Sequence, residues 1–387
     1  MISKIKVENF KAILNAEFEL RNLNFLTGLN GMGKSSLIQI LLLLKQSSNI
    51  NGLKLNGEYC KLGYWLDVLS IFAAEEKIKI KIEQDNNRIL NFVFQADKLI
   101  NPEILECTAK TVTEYHGFNS LIYLSAERIN PNSSYQLSLA NIQEKQIGVR
   151  GEYAIHYLAH NQNNDIPIKN LKHPLLPDDL IITDENGNTL TDENGNTLIS
   201  ETADYSLLSN TMEWLREISP GVGLKTLINK ELDLVKLSFN YLTEIGQTTE
   251  FRPTNVGFGI TYTLPIIVAV LSAAAGDILI IENPESHIHP RGQSKLGQLF
   301  AIAAENGVQI IIETHSDHII NGIRLATKTK YIQPENVIGY YFHRTEMKKE
   351  HASEIIPLKI DENGKMNKFP EGFLDEWNKA LMKLVKK

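Results

Sequence analysis

Residues 23–44, LNFLTGLNGMGKSSLIQILLLL, decide how this sequence is read. LNFLTG is apolar over a strand's length, SLIQILLLL is apolar over a helix's, and a glycine-rich turn joins them. The turn fits G-x-x-x-x-G-K-[ST] as Gly28, Gly33, Lys34 and Ser35, after a strand and before a helix as that pattern requires. Such a turn lets the backbone N–H groups of Asn30, Gly31, Gly33 and Ser36 converge on phosphate oxygens, reinforced by the positive end of the helix. Lys34 is expected at the β- and γ-phosphates of a nucleotide, and Ser35 at a Mg²⁺ ion.

A phosphate loop of this kind also needs an acidic group at the end of another apolar strand. DILIIENPESHIHP supplies it, because Ile278 to Ile281 lead into Glu282, a carboxylate placed to hold Mg²⁺ directly or through water. The interval between residues 34 and 282 leaves room for a whole lobe, which disfavours small nucleotide kinases and GTPases. Asn283 follows, and an amide orients water but does not take its proton at neutral pH. Either Glu285 takes that role or hydrolysis is slow.

The rest of the chain sets the frame. Its 387 residues suit two or three domains or one large domain with insertions. A formal charge of −7 gives no chain-wide basic field for DNA or anionic lipid, so nucleic acid would need a local patch. Lys4, Lys6 and Lys11, or Lys379, Lys383, Lys386 and Lys387, are the candidates. Cys60 and Cys107 suit a reducing cytoplasm and are too few for a disulfide or metal framework. MISKIKVENFK lacks a signal peptide's apolar segment, and Pro265, Gly276 and Asp277 break the most apolar run, so neither export nor a membrane span is expected.

Four regions follow. Residues 1–130 contain KIKV, AEFEL, the phosphate loop, a hairpin over 77–95 and a strand in SLIYLSAER. Residues 131–250 read as an insertion lobe of helical segments and polar loops, in which TDENGNTL occurs twice, at 183–190 and 191–198, as exposed Asn-Gly turns. Residues 251–330 return to apolar helix-strand-helix-strand alternation. Residues 331–387 hold a strand at VIGYYFH, a hairpin through IIPLKIDENGK and an amphipathic helix.

Taken together, GLNGMGKSSL, NVGFGITYTLPI, ILIIENPESHIHP and IIIETHSDHI resemble ABC-type ATPase heads of the RecF/SMC/OLD group. More narrowly, they and the ending FPEGFLDEW are similar to a prokaryotic AAA-type family with a C-terminal domain of unknown function. The resemblance covers 1–50 and 250–387 well and the middle poorly. It implies an α/β P-loop NTPase head of ABC type, a mixed sheet with an N-terminal antiparallel β part, carrying a mainly helical insertion lobe. Its implied ligands are ATP and Mg²⁺.

The resemblance also assigns roles. Gly257 to Thr261 occupy the place of the signature loop, where the N–H groups of Gly257 and Gly259 and the helix capped by Thr261 meet the γ-phosphate held by the other protomer. His315 sits where relatives contact the γ-phosphate. Many relatives have a second glutamate where this chain has Asn283, though the narrower family also uses ENPE. The expected catalytic set is therefore Lys34, Glu282, Asn283, Glu285 and His315. His287 and His289 form H-x-H, but no Cys or acidic cluster accompanies them at zinc spacing. Glu127-Arg128 reads equally as a ligand contact or a surface ion pair.

The leading expectation is a cytoplasmic ATPase switch, a homodimer or higher homo-oligomer in anti-phage defence. The chain lacks nuclease motifs, so the resemblance implies a separate nuclease or toxin as effector. The alternative is a repair or chromosome-maintenance head that binds DNA directly, which the acidic total and the lack of heptad arms disfavour. A transporter subunit is weakened by the absence of LSGGQ-like and DEP sequences, and a non-hydrolysing ATP-binding scaffold stays open because of Asn283.

Overall fold

Ile2, Ile5, Val7 and Phe10 are buried on β1 (Ile2–Phe10), and the residues between them are less so; Ile5 and Val7 keep the period of a strand with one buried face, which a register shift after Ile2 and the positive φ of Asn9 offset at the two ends. The computed structural model describes residues 1–47, 52–96, 103–110, 118, 120–178, 180–181, 199–344, 353–373 and 375–385. The tandem TDENGNTL copies, Lys386 and Lys387 lie outside them. Contacts divide the chain into two units: Met1–Arg128 with Ala275–Ser286 and Gln293–Lys387, and Ile129–Ala274 with His287–Gly292.

The first unit begins with β1, β2 (Ile13–Glu19), β3 (Leu23–Gly28), α1 (Lys34–Gln46), β4 (Gly52–Lys54) and α2 (Trp65–Val68). It continues through β5 (Ile78–Gln84), β6 (Ile89–Ala96), β7 (Ile104–Lys110) and β8 (Leu121–Leu124). The chain then forms the second unit, with β9 (Ser134–Gln136), α3 (Leu139–Gln143), α4 (Ala154–Asn161), β10 (Leu180–Ile181) and β11 (Ile199–Glu201). That unit is completed by α5 (Leu207–Arg216), β12 (Val222–Asn229), β13 (Leu234–Thr243), β14 (Gly246–Gln247) and α6 (Phe258–Ser272). Next come β15 (Ile278–Glu282), α7 (Pro290–Glu305), β16 (Gln309–Glu313), α8 (Asp317–Lys328), β17 (Val337–His343), β18 (Glu354–Leu358) and α9 (Glu376–Val385).

Two six-stranded sheets make the first unit. One has the order β2-β1-β5-β6-β7-β4 and is antiparallel throughout. The other has the order β18-β17-β3-β16-β15-β8, in which every neighbouring pair is parallel except the edge pair β17 and β18. Its central strands are buried nearly end to end, as a sheet covered on both faces demands. α1 is buried on almost every side, which its all-round apolar sequence requires.

Gln309 ties the two sheets. Its side-chain N–H groups donate to the carbonyls of Ile2 (2.7 Å) and Arg21 (3.1 Å), and its oxygen accepts from the Ile2 N–H (2.9 Å). Phe18 adds apolar contact, edge-on to Tyr340 at 5.3 Å and stacked on Phe342 at 6.1 Å.

The second unit packs α4, α5 and α6 together, with β9, β12, β13 and β14 in a four-stranded sheet. The hairpin of β12 and β13 was missed in a region read as helical segments and polar loops, although β13 carries a strand signal, Val235, Leu237, Phe239 and Tyr241 alternating with Lys236, Ser238 and Asn240. Residues 251–274, read as part of the head, join this unit by contacts. Pro265 sits inside α6 without ending it, and Ile266 to Leu271 beyond it are fully buried.

Gln309→Leu removes three hydrogen bonds from a buried site and leaves Ile2 and Arg21 backbone groups without partners. It is expected to lower stability in urea unfolding by about 2–4 kcal/mol; a change within about 0.5 kcal/mol would show that the tie between the sheets is dispensable.

Candidate functional site

The parallel sheet brings the carboxyl ends of β3, β15 and β16 to one edge, the place where open α/β sheets bind ligands. Gly28 closes β3 at φ 130°, and a Cβ there would stand 2.1 Å from the carbonyl oxygen of Phe342, so no other residue fits. Gly31 and Gly33 also have positive φ, 76° and 93°, and turn the loop into α1. Asn30 and Gly31 are exposed, and Ser36 is buried with its N–H on the Gly33 carbonyl at 3.1 Å.

Lys34 is buried, and its ammonium donates to the carbonyls of Gly28 and Leu29, both at 2.9 Å. Burial lowers its pKa, and Glu313 opposes the shift. Ser35 Oγ donates to Glu313 Oε1 at 3.2 Å. Glu282 lies across β15 from Glu313 in direct register. Its Oε2 accepts the Ala126 N–H at 3.2 Å, and burial pushes its pKa up. Glu313 is more deeply enclosed: burial first, and the Glu282 charge second, push it up to about 7. Its Oε2 has no hydrogen-bond partner among the described residues.

Arg128, fully buried, donates to the carbonyls of Glu282 (2.6 Å) and Asn283 (3.3 Å). It therefore clamps the end of β15 rather than forming a surface ion pair. Asn283 has φ 43°, a left-handed conformation that asparagine tolerates better than glutamate, and its N–H donates to the Glu313 carbonyl at 2.8 Å. The turn then aims Glu285 at the end of β16. Its two oxygens accept from Thr314 Oγ1 and from the His315 N–H, each at 2.8 Å. His315 is exposed, and its pKa is lowered by partial burial and by the Lys34 charge, which leaves the imidazole neutral at pH 7. A cleft of about 510 Å³ opens here, lined by Gly28, Leu29, Glu285, His315 and, farther along, Tyr341 and Asp375.

The C-terminal segment reaches the loop as well. Ser353 Oγ donates to the Met32 carbonyl at 2.6 Å, and the Ser353 N–H donates to Ala12 at 3.0 Å.

In the second unit, Gly257 is the N-cap of α6 and makes no side-chain cap. A Cβ on Gly257 would meet open space, whereas one on Gly259 would lie 2.4 Å from the His287 carbonyl oxygen. Thr261 does not cap the helix as expected. It lies within the first helical turns, buried, with no partner for its hydroxyl among the described residues. His287 rests against Phe258 (5.9 Å) and Tyr262 (4.8 Å), and no group of three or more His, Cys, Asp or Glu side chains placed for a metal occurs among the described residues.

The first unit thus brings Lys34, Ser35, Glu282, Asn283, Glu285 and His315 to one end of its sheet. Sequence reading missed Glu313 and Ser353. Glu313 had a signal: QIIIE (309–313) repeats the apolar-strand-plus-carboxylate form of ILIIE (278–282). Ser353 had none, since its role depends on a pairing more than 300 residues away. Two carboxylates and a hydroxyl form a hard oxygen donor set that fits Mg²⁺.

Residues 23–321 match the family described as "AAA domain, putative AbiEii toxin, Type IV TA system", and residues 332–384 match a protein family of unknown function, DUF3696. No curated protein matches the chain by sequence. The Smc head bound to the C-winged helix domain of ScpA is similar in structure, with TM-score 0.52 and 10% identity over 92% of this chain and 98% of that one. The Smc head with an extended coiled coil from Pyrococcus furiosus gives TM-score 0.49 at 12% identity, covering 100% and 99%. The SMC head domain from Thermotoga maritima gives 0.43 at 8%, covering 93% and 99%. The first likeness shows the fold of an SMC-type head.

Glu313 generates a pH dependence of stability. Its folded pKa, about 7, lies above its ordinary 4.5, so the folded state holds a proton that the unfolded chain has released. Stability from this group therefore falls as pH rises from about 4.5 to 7, and the penalty is complete above that. Without metal or nucleotide, Glu313→Gln should raise the melting temperature at pH 8 by on the order of 5 °C and much less at pH 5. Equal gains at both would show that this buried charge is not the cause.

Proposed function

The chain belongs to the AAA-domain family described for AbiEii-type proteins, and from that premise we propose a Mg²⁺-dependent ATPase that acts as a dimeric, nucleotide-controlled switch. The observation that carries the reading is the convergence of Lys34, Ser35, Glu282 and the Glu285–His315 pair at the ends of three adjacent parallel strands. Lys34 exchanges the carbonyls of Gly28 and Leu29 for the β- and γ-phosphates. Ser35 and Glu282 hold the cation, which when bound offsets the charge that builds on the phosphates.

Glu285 accepts the proton of the attacking water, its carboxylate fixed by Thr314 and the His315 N–H. His315 donates from its neutral imidazole to the γ-phosphate. Asn283 supports the turn by its backbone, which accounts for an amide at this position without making the enzyme inactive. The N–H groups at the start of α6 supply the contact from a second protomer, Gly257 and Phe258 being exposed there. ATP then favours the joined heads over the parted ones, and hydrolysis reverses that preference.

An anti-phage role with a separate effector follows from the family resemblance, in a cytoplasmic setting. No helix among the described residues is long and apolar enough to cross a membrane. Direct DNA binding finds less support, since Lys4 pairs with Glu17 (3.0 Å), Lys6 with Glu8 (2.8 Å) and Lys379 with Asp375 (2.8 Å), and Lys11 donates to Gln39. Phosphate release measured with and without duplex DNA separates the two, because stimulation by DNA would favour the repair-type head.

Lys34→Ala should reduce turnover by about 10²-fold or more, and full activity would remove the ATPase reading. Glu285→Gln should slow single-turnover hydrolysis by about 10²–10⁴-fold with ATP affinity retained, and Asn283→Ala by much less; the reverse order would reassign the base. Gly257→Asp suits the N-cap and should keep the fold, yet its carboxylate should abolish dimers formed with ATP in light scattering. Unchanged dimers would refute the contact in trans.

A further inference from the structure

The pairing of Glu282 with Glu313 leaves an unusual group behind. Both residues end five-residue strands that are otherwise almost wholly apolar, side by side at one register position. Glu282 has partners for its carboxylate in the Ala126 N–H and the Tyr123 side chain. Glu313 is only 7% exposed, and one oxygen takes the Ser35 hydroxyl while the other has no partner among the described residues. A carboxylate oxygen enclosed without a donor is costly, and such groups occur where something else completes them. Lys34 acts on Glu313 only through its charge, its ammonium donating to the Gly28 and Leu29 carbonyls and not to that oxygen.

We propose that Glu313 is a second carboxylate ligand of the divalent cation, completing with Ser35 and Glu282 a three-residue oxygen site at the ends of β15, β16 and α1. The proposal rests on the ATPase reading for its cation but adds a residue and a property to it. A site with one carboxylate and one hydroxyl receives its cation together with the nucleotide, whose phosphates furnish most of the ligands. Two carboxylates at one register position, one of them bonded to that hydroxyl, hold a hard divalent ion before nucleotide arrives. The same feature makes the site selective for oxygen-preferring ions such as Mg²⁺ and Mn²⁺ over thiophilic ones. Ser35 is the hinge of the arrangement: its hydroxyl proton now faces Glu313, and rotation about its Cα–Cβ bond redirects the oxygen lone pairs to the ion.

The test is Mn²⁺ binding to the full chain, followed by electron paramagnetic resonance of free Mn²⁺, with and without a non-hydrolysable ATP analogue. Fluorescent-nucleotide binding is measured on the same samples. The wild type should bind Mn²⁺ without nucleotide, and Glu313→Gln should weaken that binding at least about tenfold. Glu282→Gln should do the same. Glu313→Gln keeps the shape and the acceptor for Ser35, so it should fold; Glu313→Asp, which keeps charge but shortens reach, serves as the second variant and should show an intermediate loss. Equal Mn²⁺ affinity in wild type and Glu313→Gln would overturn the proposal while intact nucleotide binding left the ATPase reading standing. Loss of Mn²⁺ binding in Glu313→Gln by a protein that binds no nucleotide would uphold the cation site and overturn the ATPase reading instead. A structural role alone would shift the melting temperature of Glu313→Gln without altering the Mn²⁺ signal.

Discussion

Two carboxylates and one ammonium are held out of water where three parallel strands end, and the surrounding structure is organised around that imbalance. Glu282 and Glu313 lie at one register position, and Lys34 is drawn in against the loop carbonyls of Gly28 and Leu29. Desolvation raises both carboxylates and lowers the lysine, so each group is biased toward neutrality until a charged ligand joins them. Arg128 shores up the backbone at the end of β15 by donating to the carbonyls of Glu282 and Asn283. A site built in this way stores a modest instability that, on the proposed reading, a bound cation and phosphate would relieve.

Much of the head was legible because its signals are local. The phosphate loop is declared by glycines at φ values that other residues rarely adopt, and the buried strands by unbroken apolar runs. Glu282 could be found because it ends such a run. The rest depended on pairings that sequence order hides. Glu313 becomes a partner of Glu282 only through the parallel register of β15 and β16. Thr261 looked like a cap because threonine caps helices, but α6 begins earlier, at Phe258, and its all-round burial leaves the hydroxyl inside. The hairpin of β12 and β13 had a signal that went unread, since β13 alternates apolar and polar residues from Val235 to Tyr241 with the period of a strand.

Asn283 shows how one position can carry two readings. Chemically it is a missing base; conformationally it is a residue suited to φ 43°. The turn it permits delivers Glu285 to Thr314 and His315, so the backbone requirement and the displaced carboxylate belong together. A glutamate at 283 would meet the chemical need at a backbone position that disfavours it.

The strand that carries the phosphate loop also sets an order of events during synthesis. β3 pairs on one side with β16 and on the other with β17, which begins at Val337, and Ser353 braces the loop from beyond that. A chain emerging from the ribosome has its loop sequence exposed long before either neighbour exists. The loop therefore lacks its full set of sheet neighbours until the residues beyond Val337 are made, and a chain cut short of them would present β3 as an open strand edge.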